Sequence, residues 1–526
     1  MNSRDKIQAT FSCLLIGLCE LSEKNLGEAG LSFTVAQATK VLQSCFIKRT
    51  TGCVEQTTRI KISKHHSFLF LKEFVSLHLL FPSTIIGPLH QNSTLRPTAK
   101  GLALLHNFCT KNGTMTGPVC QLLQSLYNTL DLVVLPRDSQ GNIKVSSGLV
   151  FTLWKKVLGE QPCVFDAKIH PDKVTGMGFH NVAGRYAKSL RKFEIPTPTG
   201  NSPYFKKYFN HPNSNALSQY WEASGVRLFS NLTFQGKKKN TRDYVVSGKA
   251  LWQWIMDCTD VLSMKEAMTI VHLFLVNKLI RPIREEVCES VGFEDKLPLI
   301  VSRLTLYDIT SLGRSVANWT HEMEVTHITA NNLKIQRSPA KGTLDQKYVE
   351  LLDLYFSGIH EADFETIASL KVLLGEPGLL ILFKEWVCQQ QSIEPLLFLE
   401  DFYNVKRYFS ELQSMNPQTT SRGLQTLFKL AFQYIGADAP IGLNISTDET
   451  TNILAQLGNG PEILLRSLES VIHQQEEMLE SLATRFTKEY SSEITPALKQ
   501  YVVKQQLYYA VNVMMAEATL PKQKYV

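Results

Sequence analysis

The chain has 526 residues, 44% of them hydrophobic and 20% charged, with a net charge of +7 at neutral pH. That length exceeds what one hydrophobic core organises, so two to four domains are expected, and the ordinary apolar content excludes a disordered or fibrous chain. The longest apolar runs, at residues 268–276 and 379–383, fall well short of the roughly 18 to 20 residues that span a bilayer, so no transmembrane helix is expected.

The charge is divided unevenly. Residues 1–365 carry +11 (42 basic against 31 acidic), residues 366–498 carry −7 (9 against 16) and residues 499–526 carry +3 (4 against 1). A basic front suits an anionic membrane surface or an acidic partner, whereas an acidic module behind it does not suit nucleic acid. Ten cysteines occur without a C-x-x-C pair, which argues against a zinc site or a disulfide framework and for reduced core thiols. His65 and His66 are adjacent and cannot share one helix face, so no metal is expected there. The chain has no phosphate-cradling glycine loop, paired catalytic carboxylates in motif context or nucleophile signature. Neither a cofactor nor an enzymatic active site is expected.

At the N-terminus Arg4 and Lys6 precede an apolar run at residues 11–18 that imitates a signal peptide. However, Cys19, Glu20 and Leu21 follow in place of small cleavage-site residues, and Ile7, Phe11, Leu14, Leu15 and Leu18 recur at helical spacing. A core helix is predicted, and the N-x-S/T sequons at Asn92, Asn112, Asn231, Asn318 and Asn444 then carry no glycans in a cytosolic chain. Next, Phe33, Ala36, Ala38, Val41 and Leu42 supply a helical apolar face. The same unit closes on Leu95-Arg96-Pro97-Thr98-Ala99-Lys100-Gly101. Residues 130–138 form an apolar, strand-like run stopped by Pro136 and a turn cluster, and residues 165–220 read as a connector.

From Val226 a second unit is predicted. Leu251, Trp254 and Ile255 share one helix face, and Ser263 with Glu266 forms a capping box for a helix carrying Ala267, Ile270, Val271, Phe274 and Leu275 on its buried side. Lys237, Lys238, Lys239 and Arg242 make a basic knot beside Phe234, a solvated loop or a contact for anionic lipid or a receptor. The helix at 263–276 is too apolar for a row of groups suited to base edges, so DNA binding is not expected. Both units resemble the DEP domains of fungal regulators that join two DEP units to an RGS box. The resemblance implies a winged-helix fold and recruitment to a receptor tail or the membrane.

After a polar linker at 319–347 and a helical approach at 348–356, Ile367, Leu370, Leu373 and Leu374 form one apolar face, broken at Gly375-Glu376-Pro377-Gly378. A helix with Leu379, Leu382, Phe383, Trp386 and Val387 follows, then Pro395 at a first-turn position ahead of Phe398, Phe402, Val405 and Phe409. Leu424, Phe428, Ala431, Phe432 and Ile435 lead to a stop at Gly436, Ser446 and Glu449 start another helix, and Pro461 starts a long one through Leu479. This bundle resembles an RGS box, which binds a G-protein α subunit and speeds its GTP hydrolysis. The phrases that carry the resemblance are Glu394-Pro395, Leu443-Asn444-Ile445 and Glu480-Ser481…Arg485-Phe486. Pro395 stands where the family usually has Asn and Ile393 where an acidic residue is common, and the last phrase aligns with a one-residue shift.

The fold class expected is therefore multidomain and mainly α, with two winged-helix (α+β) DEP-like units followed by an all-α RGS bundle. The boundaries are 1–136 for an N-terminal helix and the first unit, 137–224 for a connector with a short strand, and 225–318 for the second unit. A linker and approach helix at 319–365, the RGS region at 366–498 and a C-terminal helix and tail at 499–526 complete the chain. The resemblance implies a GTPase activator acting on a Gα in its GTP or transition-state form, cytoplasmic and peripherally recruited to the plasma membrane. Glu394, Asn444, Ser481 and Arg485 are its implied Gα contacts. A Gα-binding scaffold or effector without activating power is the alternative. Recruitment and activation would be separable, so a chain lacking residues 1–320 would act in solution but lose membrane enrichment.

Overall fold

The computed structural model describes residues 3–21, 31–51, 54–82, 88–124, 132–138, 140–159, 244–283, 305–319, 363–413, 420–436, 439–459 and 461–519, with short pieces at 162, 226, 228, 232–233, 241–242 and 301. The 165–220 connector, the 319–347 linker beyond Trp319 and the 348–356 approach lie outside them. No helix among the described residues is long and apolar enough to cross a membrane.

The first unit comprises α1 (Ser3–Leu21), β1 (Phe33–Thr34), α2 (Val35–Gln43), the hairpin β2 (Cys45–Thr51) and β3 (Val54–Ile60), α3 (Lys64–Ser76), β4 (Leu80–Pro82), β5 (Thr94–Pro97), α4 (Ala99–Asn112) and α5 (Gly117–Leu123). Its antiparallel sheet runs β1-β5-β4, with Phe33 opposite Leu95 and Leu80 opposite Pro97. Short polar side chains set the helix starts. Thr34 and Gln37 form a reciprocal capping box, and the Ser63 and Thr98 hydroxyls accept from His66 N and Gly101 N. In α1, Ile7, Phe11, Leu14, Leu15 and Leu18 are all buried, as their spacing predicts, and Phe11 meets Phe74 edge to face at 5.2 Å. Ala36 is exposed; Val35 and Thr39 hold that position on the buried face of α2 instead.

After α6 (Ser147–Leu158), the second unit comprises the pair β6 (Leu232–Thr233) and β7 (Thr241–Arg242), then β8 (Val245–Ser247), α7 (Gly248–Cys258), α8 (Met264–Val276), β9 (Ile280–Pro282), β10 (Leu306–Ile309) and α9 (Ser311–Val316). Its sheet order, β8-β10-β9, repeats that of the first unit. The repeat extends to single atoms. Leu79 N donates to Phe74 O and Leu279 N to Phe274 O, after His78 and Lys278 turn the chain with φ of 60° and 57°. Thr98 and Thr310 cap the closing helices and reach back to the carbonyls of Leu79 and Leu279. A Cβ on Gly101 or Gly313 would lie 2.5 or 2.3 Å from those same carbonyls, so only glycine lets each helix approach its strand.

The two units meet through buried charge. Lys100, which occupies in the first unit the place of Leu312 in the second, is fully enclosed and donates to the carbonyls of Met256 and Val261 around the C-terminal end of α7. Beside it His78 pairs with Asp257, Arg4 with Asp260 and Arg137 with Glu266. Glu266 therefore completes an ion pair rather than the second half of the predicted capping box, although Ser263 does accept from its N–H. Of residues 130–138, read from sequence as strand-like, the described 132–138 form two isolated bridges, parallel from Val133 to Thr259 and antiparallel from Arg137 to Ile143.

Desolvation pushes the Lys100 ammonium down to about 8 from its usual 10.5, against the pull of Asp257 and Asp260. The folded state then binds fewer protons than the unfolded one between these values, so stability rises with pH across that window. The total rise is about 3 kcal/mol. Urea midpoints at pH 7.5 and 10 are expected to show wild type gaining on Lys100→Met by this order. A constant difference between the two proteins would contradict it.

Helix α6 joins the front units to the C-terminal bundle. It lies inside the stretch read from sequence as a connector, yet residues 147–154, 157 and 158 are all buried. Trp154 Nε1 donates to Gly313 O of the second unit at 2.8 Å, while Phe151 meets Tyr501 of the bundle edge to face.

The bundle comprises α10 (Asp363–Ile367), α11 (Leu370–Gly375), α12 (Pro377–Gln389), α13 (Glu394–Gln413), α14 (Thr420–Tyr434), α15 (Thr447–Ala455), α16 (Pro461–Glu489) and α17 (Pro496–Thr519). Where α12 crosses α6, a Cβ on Gly378 would lie 2.3 Å from Gly148 O, and the buried Glu376 carboxylate accepts from Ser146 Oγ and from Gly378 N. One carboxylate thus serves two helix N-termini, and its burial raises its pKa. A cut removing residues 1–320 takes away α6, and with it apolar cover of α12, the Ser146 partner of Glu376 and the Phe151 partner of Tyr501, so the bundle expected to act alone would have to do so without these contacts.

Candidate partner-docking site

The site is built on α16, a 29-residue helix, about 43 Å long at 1.5 Å per residue. Its buried stripe of Leu464, Leu468, Val471, Leu479, Leu482 and Phe486 fixes its rotation and leaves Ser481 and Arg485 exposed on the same outer face. Helix α13 runs antiparallel to it, held by Tyr403 Oη to Glu476 at 2.6 Å and Lys406 to Glu469 at 2.8 Å. Nine residues back from Tyr403 is Glu394, and nine beyond Glu476 is Arg485, each about 13 Å along its helix. Glu394, half-buried at the first residue of α13, is thereby carried to the level of Arg485. The Arg485 guanidinium lies 5.6 Å from the Trp386 ring centre, and Trp386 ends one turn before the corner that introduces Glu394.

Asn444 is exposed in the connection between α14 and α15, and the backbone around it is held. Ile441 N donates to Gln433 O at 3.0 Å and Leu443 N to Tyr434 O at 2.9 Å. On the far side Ser446 caps α15 by accepting from Glu449 N. Glu449 itself accepts from Gln474 Nε2 at 3.2 Å, which attaches α15 to α16 two turns, about 10 Å, from Ser481 on the same face. Beneath the loop, the Tyr434 hydroxyl donates to Asp401 at 2.8 Å. Burial, and then the Asp401 charge, hold this phenol far above its usual range, so it stays a donor.

Ser481 and Arg485 therefore share one exposed face of α16 with Gln474, the attachment point of α15, while Glu394 stands on α13, which meets α16 on the other side at Glu469 and Glu476; no hydrogen bond or ion pair joins any two of the four residues. They are presented outward, as docking groups are, rather than gathered into a reactive cluster. Arg485 is paired with Glu489 at 3.1 Å, both half-exposed, so an incoming carboxylate would displace a weak surface pair. Pro395 is buried in the first turn of α13, where its missing N–H leaves nothing unpaired. Of the basic knot, Lys237, Lys238 and Lys239 lie outside the described residues, and Arg242 is placed by its backbone alone, opposite Leu232.

Residues 6–125 match the family model of the fungal-differentiation regulator winged helix domain. The first unit is a winged helix of this family. Over 412 residues the chain is 21% identical to Developmental regulator flbA of Emericella nidulans, a match that covers 76% of this chain and 47% of the relative. The chain is homologous to that protein and spans about half its length. No solved structure matches the chain. The matched region takes in α1, so the N-terminal helix belongs to the winged-helix unit and is not an addition to it.

Sequence reasoning overlooked Tyr434, Asp401 and Gln433, which lie beneath Asn444. Tyr434 falls on the apolar face of α14 beside Ala431 and Ile435, but its bond to Asp401 links residues 33 apart and leaves no mark on local spacing.

Proposed function

We infer that the C-terminal bundle docks on a heterotrimeric G-protein α subunit and quickens its GTP hydrolysis, attenuating receptor-coupled signalling. The observation that carries this reading is the exposed face of α16 that offers Ser481 and Arg485, two of the four residues, with Glu394 and Asn444, for which an RGS resemblance implies partner contact. The relationship to a fungal developmental regulator agrees with the resemblance of both halves of the chain to such regulators. A Gα supplies its own transition-state arginine and needs only its water-orienting glutamine and switch loops held still. A surface offering fixed polar groups is enough for that. Asn444 has a carboxamide that donates and accepts at once, on a backbone pinned at 441 and 443, so it can bridge a switch backbone and that glutamine. The winged-helix units, with the +11 charge of residues 1–365, would bring the bundle to a receptor tail or an anionic membrane surface and raise its local concentration.

Asn444→Ala is expected to fold normally, since the side chain is exposed, and to lose about 1–3 kcal/mol of transition-state stabilisation, roughly 5- to 150-fold in stimulated hydrolysis. Single-turnover GTP hydrolysis by a Gα measures this, and an unchanged rate removes Asn444 from the mechanism. Pro395, without a side-chain amide, favours a second reading in which the bundle binds Gα as a scaffold. Capture of Gα in its GDP, GTP-analogue and aluminium-fluoride states separates the two, because an activator prefers the last.

A further inference from the structure

The first winged-helix unit touches the docking loop directly. Helix α4 ends at Gly113 in the left-handed conformation, with φ of 61°, and a Cβ there would lie 2.8 Å from Cγ of Pro440. Pro440 is four residues before Asn444 and one before Ile441, the first pinned residue of the loop. Two residues before Gly113, Lys111 Nζ lies 3.5 Å from Asp401 Oδ1. The other oxygen of Asp401 accepts from the Tyr434 hydroxyl and from Gln433 Nε2, and the carbonyls of these two residues hold Ile441 and Leu443. The half-exposed ion pair contributes little by itself; the rigid part of the contact is the Pro440 ring against the Gly113 backbone.

We propose that the C-terminal end of α4 braces the loop bearing Asn444, so that docking of the winged-helix unit on the bundle sets the shape of the partner-contact surface. Gly113, Lys111 and Pro440 are positioning residues: they act through Ile441, Leu443 and Asn444 and touch no partner. The consequence for Gα rests on the functional reading above, whereas the brace itself does not. The front units then do more than recruit, because displacing α4 frees the loop. A partner that pulls the winged-helix unit away would lower Gα affinity without touching the Gα-facing residues.

The test uses the full chain with Gly113→Asn, Pro440→Ala and the double variant. Asparagine accepts the left-handed φ, so its effect comes from the Cβ that meets Pro440, and removal of the proline ring makes room for it. In Gly113→Asn, amide exchange at Ile441 and Leu443 is expected to quicken on the order of 10-fold while the core amides of α12 and α16 are unmoved. The double variant returns to within about 2-fold of Pro440→Ala, a coupling that two independent structural defects would not give. Capture of aluminium-fluoride Gα falls and recovers in the same order. Unchanged exchange in Gly113→Asn, or no recovery in the double variant, overturns the brace. Should exchange behave as expected while no state of Gα binds any of the proteins, the brace stands and the Gα reading fails.

Discussion

Truncating Trp154 to alanine is expected to destabilise the fold by about 3–5 kcal/mol and to split one cooperative unfolding transition into two. Trp154 has no exposed surface. Its ring packs on Phe274 with centroids 5.0 Å apart, and its indole N–H is the partner of Gly313 O in the second unit. Truncation empties a site bounded by two units and orphans a buried carbonyl, a further 1–3 kcal/mol of desolvation where water does not enter. The loss falls on the joint, because α6 has the second unit on one side and α12 and α17 on the other. Trp154→Phe keeps most of the volume and loses the hydrogen bond, so a loss of about 1–2 kcal/mol is expected. Urea unfolding followed by circular dichroism reads both. A single transition with a loss below about 1 kcal/mol in Trp154→Ala would show that α6 is not a shared core element.

Asp260→Ala is expected to cost about 3–5 kcal/mol, the range for removing one member of a buried charge network. Asp260 is 1% exposed, binds Arg4 and accepts from Leu135 N at 3.0 Å, with Arg137 at 3.9 Å. Its removal leaves Arg4, Arg137 and Lys100 facing one another across the joint between the units with less anionic compensation. Lys100 responds first, since Asp260 is among the groups that hold its pKa up. Lys100→Met in the Asp260→Ala background is therefore expected to recover part of the loss, whereas the same substitution in wild type removes two hydrogen bonds to α7. Thermal midpoints of the four proteins close the cycle, and strict additivity would show that the two residues do not share one electrostatic site.

Much of the fold was legible because its cues are short-range. The caps at Ser263, Ser446 and the first-turn Pro395, the stop at Gly436 and the apolar stripes of α1, α8, α12 and α16 all lie within one or two turns of the residues they govern. The candidate contacts were legible only through the resemblance, since an exposed loop asparagine and a helix-surface serine look like any others. Helix α6 had local signals that were passed over: Ser146 before an apolar run, and Gly159 after it with φ of 76°. The weakly periodic residues 165–220 that follow it, rich in His, Pro, Asn, Gly and Lys, drew the reading toward a connector. Lys100 was read as one letter of a closing phrase. Its burial depends on carbonyls 156 and 161 residues away, so no spacing along the chain announces it.

By itself the amino-acid sequence determined which segments become helices and which side chains face inward, because capping, periodicity and chain breaks are settled among near neighbours. Only the tertiary structure decided how the units share their surfaces: which lysine enters an apolar joint, which connector becomes a central strut, and which helix end rests on the loop that offers Asn444. Those outcomes depend on atoms brought within 3 Å after hundreds of intervening residues, where desolvation and steric fit act on the assembled surface and leave no periodic trace in the chain.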